Sequence, residues 1–245
     1  APHVSALSPY LATGEISPRQ ARQAALTAAE QAGGALHADF ETFERELYWR
    51  DFSHNLLFFG DDITTKNHQP KFDTFPWADD DAAFKAWTKG QTGYPIVDAG
   101  MRELWHTGYM HNRIRMVTAS FLTKHLLIDW RRGEQWFWDT LVDADPASNP
   151  ANWQWVAGSG ADAAPYFRIF NPMTQGTKFD PDGQYVRQWV PELAGLPDKH
   201  LNTPWEAPAL ILEKAGVKLG ETYPKPIVDH KAARERALAA YKEIK

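Results

Sequence analysis

Apolar residues recur at helical spacing along this chain, and no segment shows the strict alternation that is typical of a half-buried strand. Ser17 stands before a proline at a first helical position, and Gly33 and Gly34 follow the alanine-rich residues 21–32. Residues 40–59 carry apolar side chains three to five positions apart. These patterns predict an all-α domain, a multi-helical orthogonal bundle of short helices that cross at large angles.

Turn-forming residues divide the rest of the chain into further helices. The predicted helices are residues 82–89, a helix from Pro95 that ends at Gly108, residues 112–129, residues 134–142 after a break at Gly133, residues 185–193 and residues 232–242. Residues 143–155 are expected to form a polar loop that ends in a Trp-x-Trp pair. Residues 60–76 are expected to form a loop, which allows two helical lobes of about residues 1–70 and 71–245.

Composition excludes several classes of protein. The chain has no cysteine, so disulfides, thiolate metal sites and iron-sulfur clusters are excluded. No apolar run approaches the roughly 20 residues that span a bilayer. The formal net charge is −5, so a polyanion would have to bind at a local basic patch. Residues 102–132 hold six Lys or Arg against two acids, which predicts such a patch.

Residues 109–155 contain side chains that are poor material for a plain hydrophobic core. Amides, guanidiniums and a thioether stand in residues 111–116, and two indoles stand at Trp153 and Trp155. Neither a glycine-rich dinucleotide motif nor a Walker sequence is present, and His106 and His111 do not share a helix face as metal ligands would. The set suits a nucleotide-like cofactor that faces a nucleic-acid base, with arginines for phosphates and indoles for flat rings.

Several long motifs resemble one known family. They are residues 109–116, Trp130, residues 143–145, Asn149, residues 153–155 and residues 170–180. Together they resemble the FAD-binding region of photolyases and cryptochromes, most closely class I cyclobutane pyrimidine dimer photolyases. The resemblance runs from about Val4 to the C-terminus.

The resemblance implies a helical domain that holds FAD in a folded conformation, active as FADH⁻, below a hole that admits a flipped pyrimidine dimer. The residues expected at the cofactor are Ser5, Leu7, Ser8, Phe43, Arg50, Asn112, Arg115, Asp143, Asp145 and Asn149. Asn149 is expected beside the flavin N5 atom. No metal is expected.

On the substrate side, the resemblance implies that Glu46 hydrogen-bonds the dimer and that Trp49 and Trp155 bracket it. Further contacts to the dimer or to DNA are expected from Asn112, Arg113, Met116, Arg168, Gln175 and Lys178. Trp153, Trp130 and Trp77 resemble a chain of three tryptophans that reduces the flavin from the surface. The expected reaction is light-driven electron donation to the dimer in UV-damaged DNA, ring splitting, and return of the electron.

Some features depart from the family pattern. Val4 stands where threonine is usual and Phe43 where tryptophan is usual. The family's preceding α/β domain, which carries a folate or deazaflavin antenna pigment, is expected to lie outside this sequence. The resemblance further implies a monomeric cytoplasmic enzyme that associates with the nucleoid during repair.

Two alternatives stay open. The first is a cryptochrome-type blue-light photoreceptor or a (6-4) photolyase on the same fold, although His111-Asn112, Met116 and Trp155 favour repair of cyclobutane dimers. The second is a flavin-free helical DNA-binding protein whose tryptophans only pack the core. A visible absorption spectrum separates the flavin-binding proteins from the last of these.

Overall fold

The computed structural model describes residues 4–60, 62–162 and 167–244 and confirms the all-α prediction. Within these residues, α-helices alternate with short 3-10 turns. The helices are α1 (Ser8–Thr13), α2 (Pro18–Gln31), α3 (His37–Phe59), α4 (Asp81–Thr88), α5 (Pro95–Thr107), α6 (Asn112–Ser120), α7 (Trp130–Thr140), α8 (Ser148–Ala157), α9 (Pro172–Phe179), α10 (Gln184–Trp189), α11 (Asp198–Leu201), α12 (Ala209–Lys214) and α13 (His230–Glu243). None of the described helices has both the length and the apolarity that a membrane span requires.

The helix boundaries that local chemistry predicts are confirmed. At the start of α2, the Ser17 hydroxyl accepts from the Gln20 backbone N–H while the Gln20 side chain accepts from the Ser17 backbone N–H. At the end of α5, Gly108 adopts a left-handed conformation with φ 70°. Such boundaries depend on a few neighbouring residues, which is why the sequence predicts them.

The predicted helix over residues 112–129 is wrong in its second half. Helix α6 ends at Ser120 and continues as a π-helical turn, Phe121–His125. Leu127 then has a positive φ of 54°, and Asp129 caps the start of α7 with its carboxylate. Residues 121–128 are all buried, the polar Thr123, Lys124 and His125 included, so the hydrophobic pattern of this segment cannot reveal where the helix breaks.

The predicted break at Gly133 is also wrong, because α7 runs straight through this residue. Gly133 is buried, and a Cβ atom there would overlap the Trp153 ring and lie 2.6 Å from Cδ2 of Leu122. The glycine therefore permits close packing of α7 against α8. It does not end a helix.

Residues 143–155 are a loop only as far as Ala147, because α8 begins at Ser148 and carries the whole Trp-x-Trp pair. The loop over residues 60–76 contains one 3-10 turn, Pro70–Thr74. Helix α9 begins after Asn171, whose side chain caps it.

The core holds two apolar clusters. The larger one centres on α5, α6, α7 and α8 and includes Trp87, Trp130 and Trp153. The smaller one joins Phe72 and Phe167 to helix α13. Lys124 lies between them with only 1% of its surface exposed, and burial lowers its pKa to about 7. The two-lobe division remains a prediction.

Replacing Gly133 by alanine should destabilise the protein, although alanine favours helices by about 1 kcal/mol over glycine. The added methyl group has no room between Trp153 and Leu122, and we expect a net loss of about 1–3 kcal/mol. Urea unfolding measures the change. Gln135→Ala, on the exposed side of the same helix, is the matched control and should leave the unfolding midpoint nearly unchanged.

Burial of Lys124 makes stability depend on pH. In the unfolded chain a lysine keeps its proton to about pH 10.4, whereas in the folded chain Lys124 loses it at about pH 7. Between these values the unfolded state binds more protons, so stability rises with pH by up to roughly 1.4 kcal/mol per unit. Urea unfolding at pH 7 and pH 9 should show this rise in the parent and in the exposed-site control Lys85→Met. A Lys124→Met variant that kept the full rise would contradict the assignment.

Candidate functional site

A cavity of about 430 Å³ opens among α1, α3, α6, α7 and α8, the residues between α5 and α6, and the residues before α8. Its size falls in the range of small-molecule and cofactor sites. The structure brings twelve of the predicted site residues together on its lining: Ser8, Glu46, Trp49, Arg50, Asn112, Arg115, Met116, Asp143, Asp145, Asn149, Trp153 and Trp155. These residues come from distant parts of the sequence, so their convergence is a property of the fold.

Other predicted site residues lie outside the lining. They are Ser5, Leu7, Phe43, Trp77, Trp130, Arg113, Arg168, Gln175 and Lys178. Trp130 is buried in the core, whereas Trp77 packs against the core and is half-buried. Arg113, Arg168 and Lys178 form a surface outside the cavity. The side-chain oxygen of Gln175 is buried, so it points away from any surface ligand.

Asp145 fixes one end of the cavity. Its carboxylate accepts from the Arg50 guanidinium at 2.5 Å and from the backbone N–H groups of Ala147 and Ser148 at 3.0 and 2.7 Å. Burial by itself would raise the pKa of Asp145, but the Ser148 N–H and Arg50 outweigh it and hold the pKa below its ordinary value. His54 lies 3.7 Å away and was not predicted. The aspartate is therefore a fixed anion at neutral pH.

Arg115 and Asp143 form a second ion pair on the cavity wall, with 2.7 Å between Nη2 and Oδ2. Arg115 also donates to the Met110 carbonyl oxygen at 2.6 Å and lies 5.5 Å from the ring centre of Tyr109. Among the described residues the Asp143 Oδ1 atom has no hydrogen-bond partner, although it is buried. A buried acceptor of this kind calls for a donor from a ligand.

Glu134 is a site residue that the sequence analysis did not identify. The Asn149 amide nitrogen donates to the Glu134 carboxylate at 2.9 Å and to its backbone carbonyl at 3.1 Å. Both amide hydrogens are thereby directed away from the cavity, which leaves the Asn149 oxygen free to accept there. Burial raises the pKa of Glu134. No local pattern around Glu134 indicates that it contacts the site, because only the fold places α7 beside α8.

The three predicted electron-transfer tryptophans all pack in or against the larger apolar cluster. Trp153 lines the cavity between Phe137 and Trp87, whose ring centres lie 4.9 and 6.2 Å away. Trp130 is fully buried and donates its indole N–H to Asn67 at 2.9 Å. Trp77 is half-buried. Of the three tryptophans, Trp153 lies at the cavity wall, Trp130 is fully buried and Trp77 is partly exposed to solvent.

The cavity mouth carries exposed groups. Glu46 is exposed, and Trp49 is 42% exposed and packs edge-on against Phe52 with 5.7 Å between the ring centres. Trp155 lines the cavity from α8 and is half-buried. An acid and two indoles at one opening form a site for a flat polar group.

The basic patch predicted over residues 102–132 is wrong as a surface patch. Arg102 pairs with Glu192, Arg115 with Asp143, Arg131 with Asp129 and Arg132 with Asp81, while Lys124 is buried. Except for Asp129, the acids that neutralise these cations lie outside residues 102–132, so a local charge count could not predict these pairs.

A different cationic surface lies beside α9, and it contains three predicted residues. Arg113 lies 4.6 Å from the ring centre of Phe179, and Lys178 lies 5.4 Å from the same ring. Burial, and then the nearby charge of Arg168, lower the pKa of Arg113. Neighbouring cations that repel one another favour an anionic ligand. We call Arg113, Arg168 and Lys178 the cationic rim.

Fold and site together define a helical domain that binds a nucleotide cofactor. The chain belongs to the family of FAD-binding domains of DNA photolyases, whose model matches residues 43–243. A deoxyribodipyrimidine photo-lyase of Agrobacterium fabrum is 61% identical over 244 residues, covering 100% of this chain and 50% of that protein. Cryptochrome-1 of Sinapis alba is 46% identical over 238 residues, covering 94% of this chain and 47% of that protein.

Among solved structures, a bacterial class III photolyase from Agrobacterium tumefaciens superposes with a TM-score of 0.93 at 59% identity. The match covers 100% of this chain and 50% of that chain. The sequence motifs resemble class I enzymes most closely, whereas this relative is described as class III. The chain spans about half the length of the curated relatives it matches.

The contact between Glu134 and Asn149 gives a test of the site. Glu134→Leu removes the acceptor that orients the Asn149 amide, and we expect FAD binding to weaken by about tenfold, or 1.4 kcal/mol. Glu134→Gln retains a side-chain oxygen that can accept and should stay near the parent. Quenching of flavin fluorescence on titration of the apoprotein measures both. Equal affinity in the leucine variant and the parent would show that Asn149 does not depend on Glu134.

Proposed function

We propose that this chain is the catalytic domain of a light-dependent DNA repair enzyme, a deoxyribodipyrimidine photo-lyase that splits cyclobutane pyrimidine dimers. The observation that carries the proposal is the cavity itself. It unites two fixed ion pairs, an oriented amide and the indole of Trp153 with an acid and two indoles at its mouth. The identity to the Agrobacterium photo-lyase supports the same function.

The residues present fit FAD. Asp143 Oδ1 and Trp153 Nε1 have no hydrogen-bond partner in the described part of the chain. Both atoms are buried beside the cavity and offer an acceptor and a donor to a polar heterocycle. Of the predicted contacts, Ser8, Arg50, Asn112, Arg115, Asp143, Asp145 and Asn149 lie on the lining and would hold the cofactor. Ser5, Leu7 and Phe43 do not lie there, and their roles remain predictions. When bound and reduced, FAD supplies a light-excitable one-electron donor.

The mouth would hold the flipped pyrimidine dimer. A dimer is cheap to flip out of the duplex because its bases pair and stack poorly. Trp49 and Trp155 would stack against it from α3 and α8, Asn112 and Met116 would contact it from α6, and Glu46 would hydrogen-bond its carbonyl groups. A hydrogen bond donated by a carboxyl group that carries its proton would stabilise negative charge on those oxygens, which favours ring opening.

The cationic rim would bind DNA phosphates. Each phosphate contact releases counterions, so affinity for damaged DNA is expected to fall steeply with salt. Gln175, also predicted at DNA, has its oxygen buried and could contribute only its N–H groups. Arg113 directly follows Asn112, which lines the cavity. It is therefore the residue of the cationic rim that is closest in sequence to a lining residue.

Trp153, Trp130 and Trp77 would carry electrons between the protein surface and the cofactor. Trp153 and Trp130 belong to the larger apolar cluster, and the half-buried Trp77 packs against it. The antenna pigment and the monomeric state of the whole protein are likewise proposals. So are its cytoplasmic location and its association with the nucleoid.

A blue-light photoreceptor is the second candidate, because Cryptochrome-1 of Sinapis alba shares the same domain at 46% identity. Both functions use bound flavin. Only repair requires that illumination remove dimers from DNA, so one assay separates them.

The purified whole protein, reduced and given UV-irradiated oligothymidylate under blue light, should restore the absorbance that dimer formation removed. Glu46→Ala should lower the repair rate by about 10- to 100-fold, because a hydrogen bond to a charged group is worth about 1.5–3 kcal/mol. Glu41→Gln, exposed on the same helix, is the control and should repair normally. Flavin reduction by light without any dimer loss would favour the photoreceptor, and a colourless protein that cannot be reconstituted would contradict both functions.

A further inference from the structure

Lys124 is a buried cationic residue for which the proposed reaction has no use. It lies on the π-helical turn Phe121–His125 and is 1% exposed. Its amine donates to the Val156 backbone carbonyl at 2.8 Å and lies 3.8 Å from the ring centre of Phe167. A lysine is rarely buried this completely unless its amine has a specific partner.

The Val156 carbonyl belongs to the last turn of α8, where helices leave carbonyl groups without an intrahelical donor. The backbone N–H groups of Gly158, Ser159 and Gly160 all donate to the Gln154 carbonyl. They therefore leave the Val156 oxygen to the lysine. Lys124 thus caps the end of α8 from another part of the chain.

The first turn of α8 is fixed by separate contacts. Asp145 accepts from the Ala147 and Ser148 N–H groups, and Glu134 holds Asn149. The last turn carries Trp155 and Val156, which both line the cavity. Loss of the Lys124 contact should therefore affect the mouth of the cavity more than its interior.

We propose that Lys124 is a positioning residue, which holds the last turn of α8 so that Trp155 is correctly placed to stack on the flipped lesion. This inference rests on the proposed repair function and assigns Lys124 to binding of the damaged base. Because burial lowers its pKa to about 7, the amine serves near neutral pH as a hydrogen-bond donor that need not carry a full charge.

The variant Lys124→Met keeps an unbranched chain of similar length and removes the donor. The matched control is Thr123→Val, because the neighbouring Thr123 is equally buried but donates to Ala119 and not to α8. Lys124→Gln is a second variant, for use if the methionine protein does not fold. Its side chain is one bond shorter than that of lysine, so its amide nitrogen reaches less far towards the Val156 oxygen.

The first measurement is dark binding of the whole protein to oligonucleotides with and without one cyclobutane dimer. We expect Lys124→Met to bind the damaged strand about tenfold more weakly, since base stacking on an indole supplies about that factor. Lys124→Gln should lie between methionine and parent, and Thr123→Val should match the parent. FAD content, affinity for undamaged DNA and the repair rate at saturating damaged DNA should change less than about twofold.

A second measurement needs neither cofactor nor DNA. Hydrogen exchange should become faster in peptides that cover residues 155–160 of Lys124→Met, while peptides that cover residues 145–150 should keep the parent rate. Unchanged exchange in residues 155–160 would overturn the proposed cap.

The outcomes separate the two proposals. If the parent does not prefer damaged DNA, the repair function fails and this inference fails with it. If the parent prefers damaged DNA and Lys124→Met does so equally, the inference is overturned and the repair function stands. A variant that loses FAD, or loses binding and repair rate in proportion, would reduce Lys124 to a general structural role and would also overturn the inference.

Discussion

The hydrogen bonds and ion pair of the Asp145 carboxylate determine where the cavity lies. One buried carboxylate accepts from Arg50 of α3 and from two backbone N–H groups at the start of α8. Arg50 in turn donates to the Leu11 carbonyl of α1. Three helices are thus joined at one charge. Loss of one partner of a buried pair typically costs about 3–5 kcal/mol, because the other charge is left uncompensated.

The same helix, α8, is fixed again in its middle. The buried Gln154 amide donates to the carbonyl groups of Ile63 and Lys66, and its oxygen accepts from the His68 N–H. The loop after α3 is therefore attached to the helix that forms the cavity wall. Polar contacts at the start, middle and end of α8 set both its position and its rotation, which decide which side chains reach the cavity. Apolar packing is less directional and could not do this alone.

The relatives of this domain carry two names, photo-lyase and cryptochrome, on one fold. A shared scaffold does not decide between repair and signalling, because function depends on the groups at the site. In the proposed function, the residues that would contact a DNA lesion lie at the cavity mouth, whereas the ion pairs around the cavity interior would serve any protein that binds flavin. Glu46, Trp49 and Trp155 therefore support the repair proposal more directly than Arg50 or Asp143 do.

The sequence by itself determined the all-α class, the helix boundaries with local signals, and the identity of most cavity residues through long family motifs. Capping at Ser17 and the left-handed Gly108 need only neighbouring residues, so they could be predicted. The tertiary structure alone decided that α7 continues through Gly133, that α6 ends in a π-helical turn, and that most cations of residues 102–132 are paired. It also placed Glu134 and Lys124 beside α8. These features depend on contacts between residues far apart in the chain, and no local pattern of polarity or spacing records which distant segments pack together.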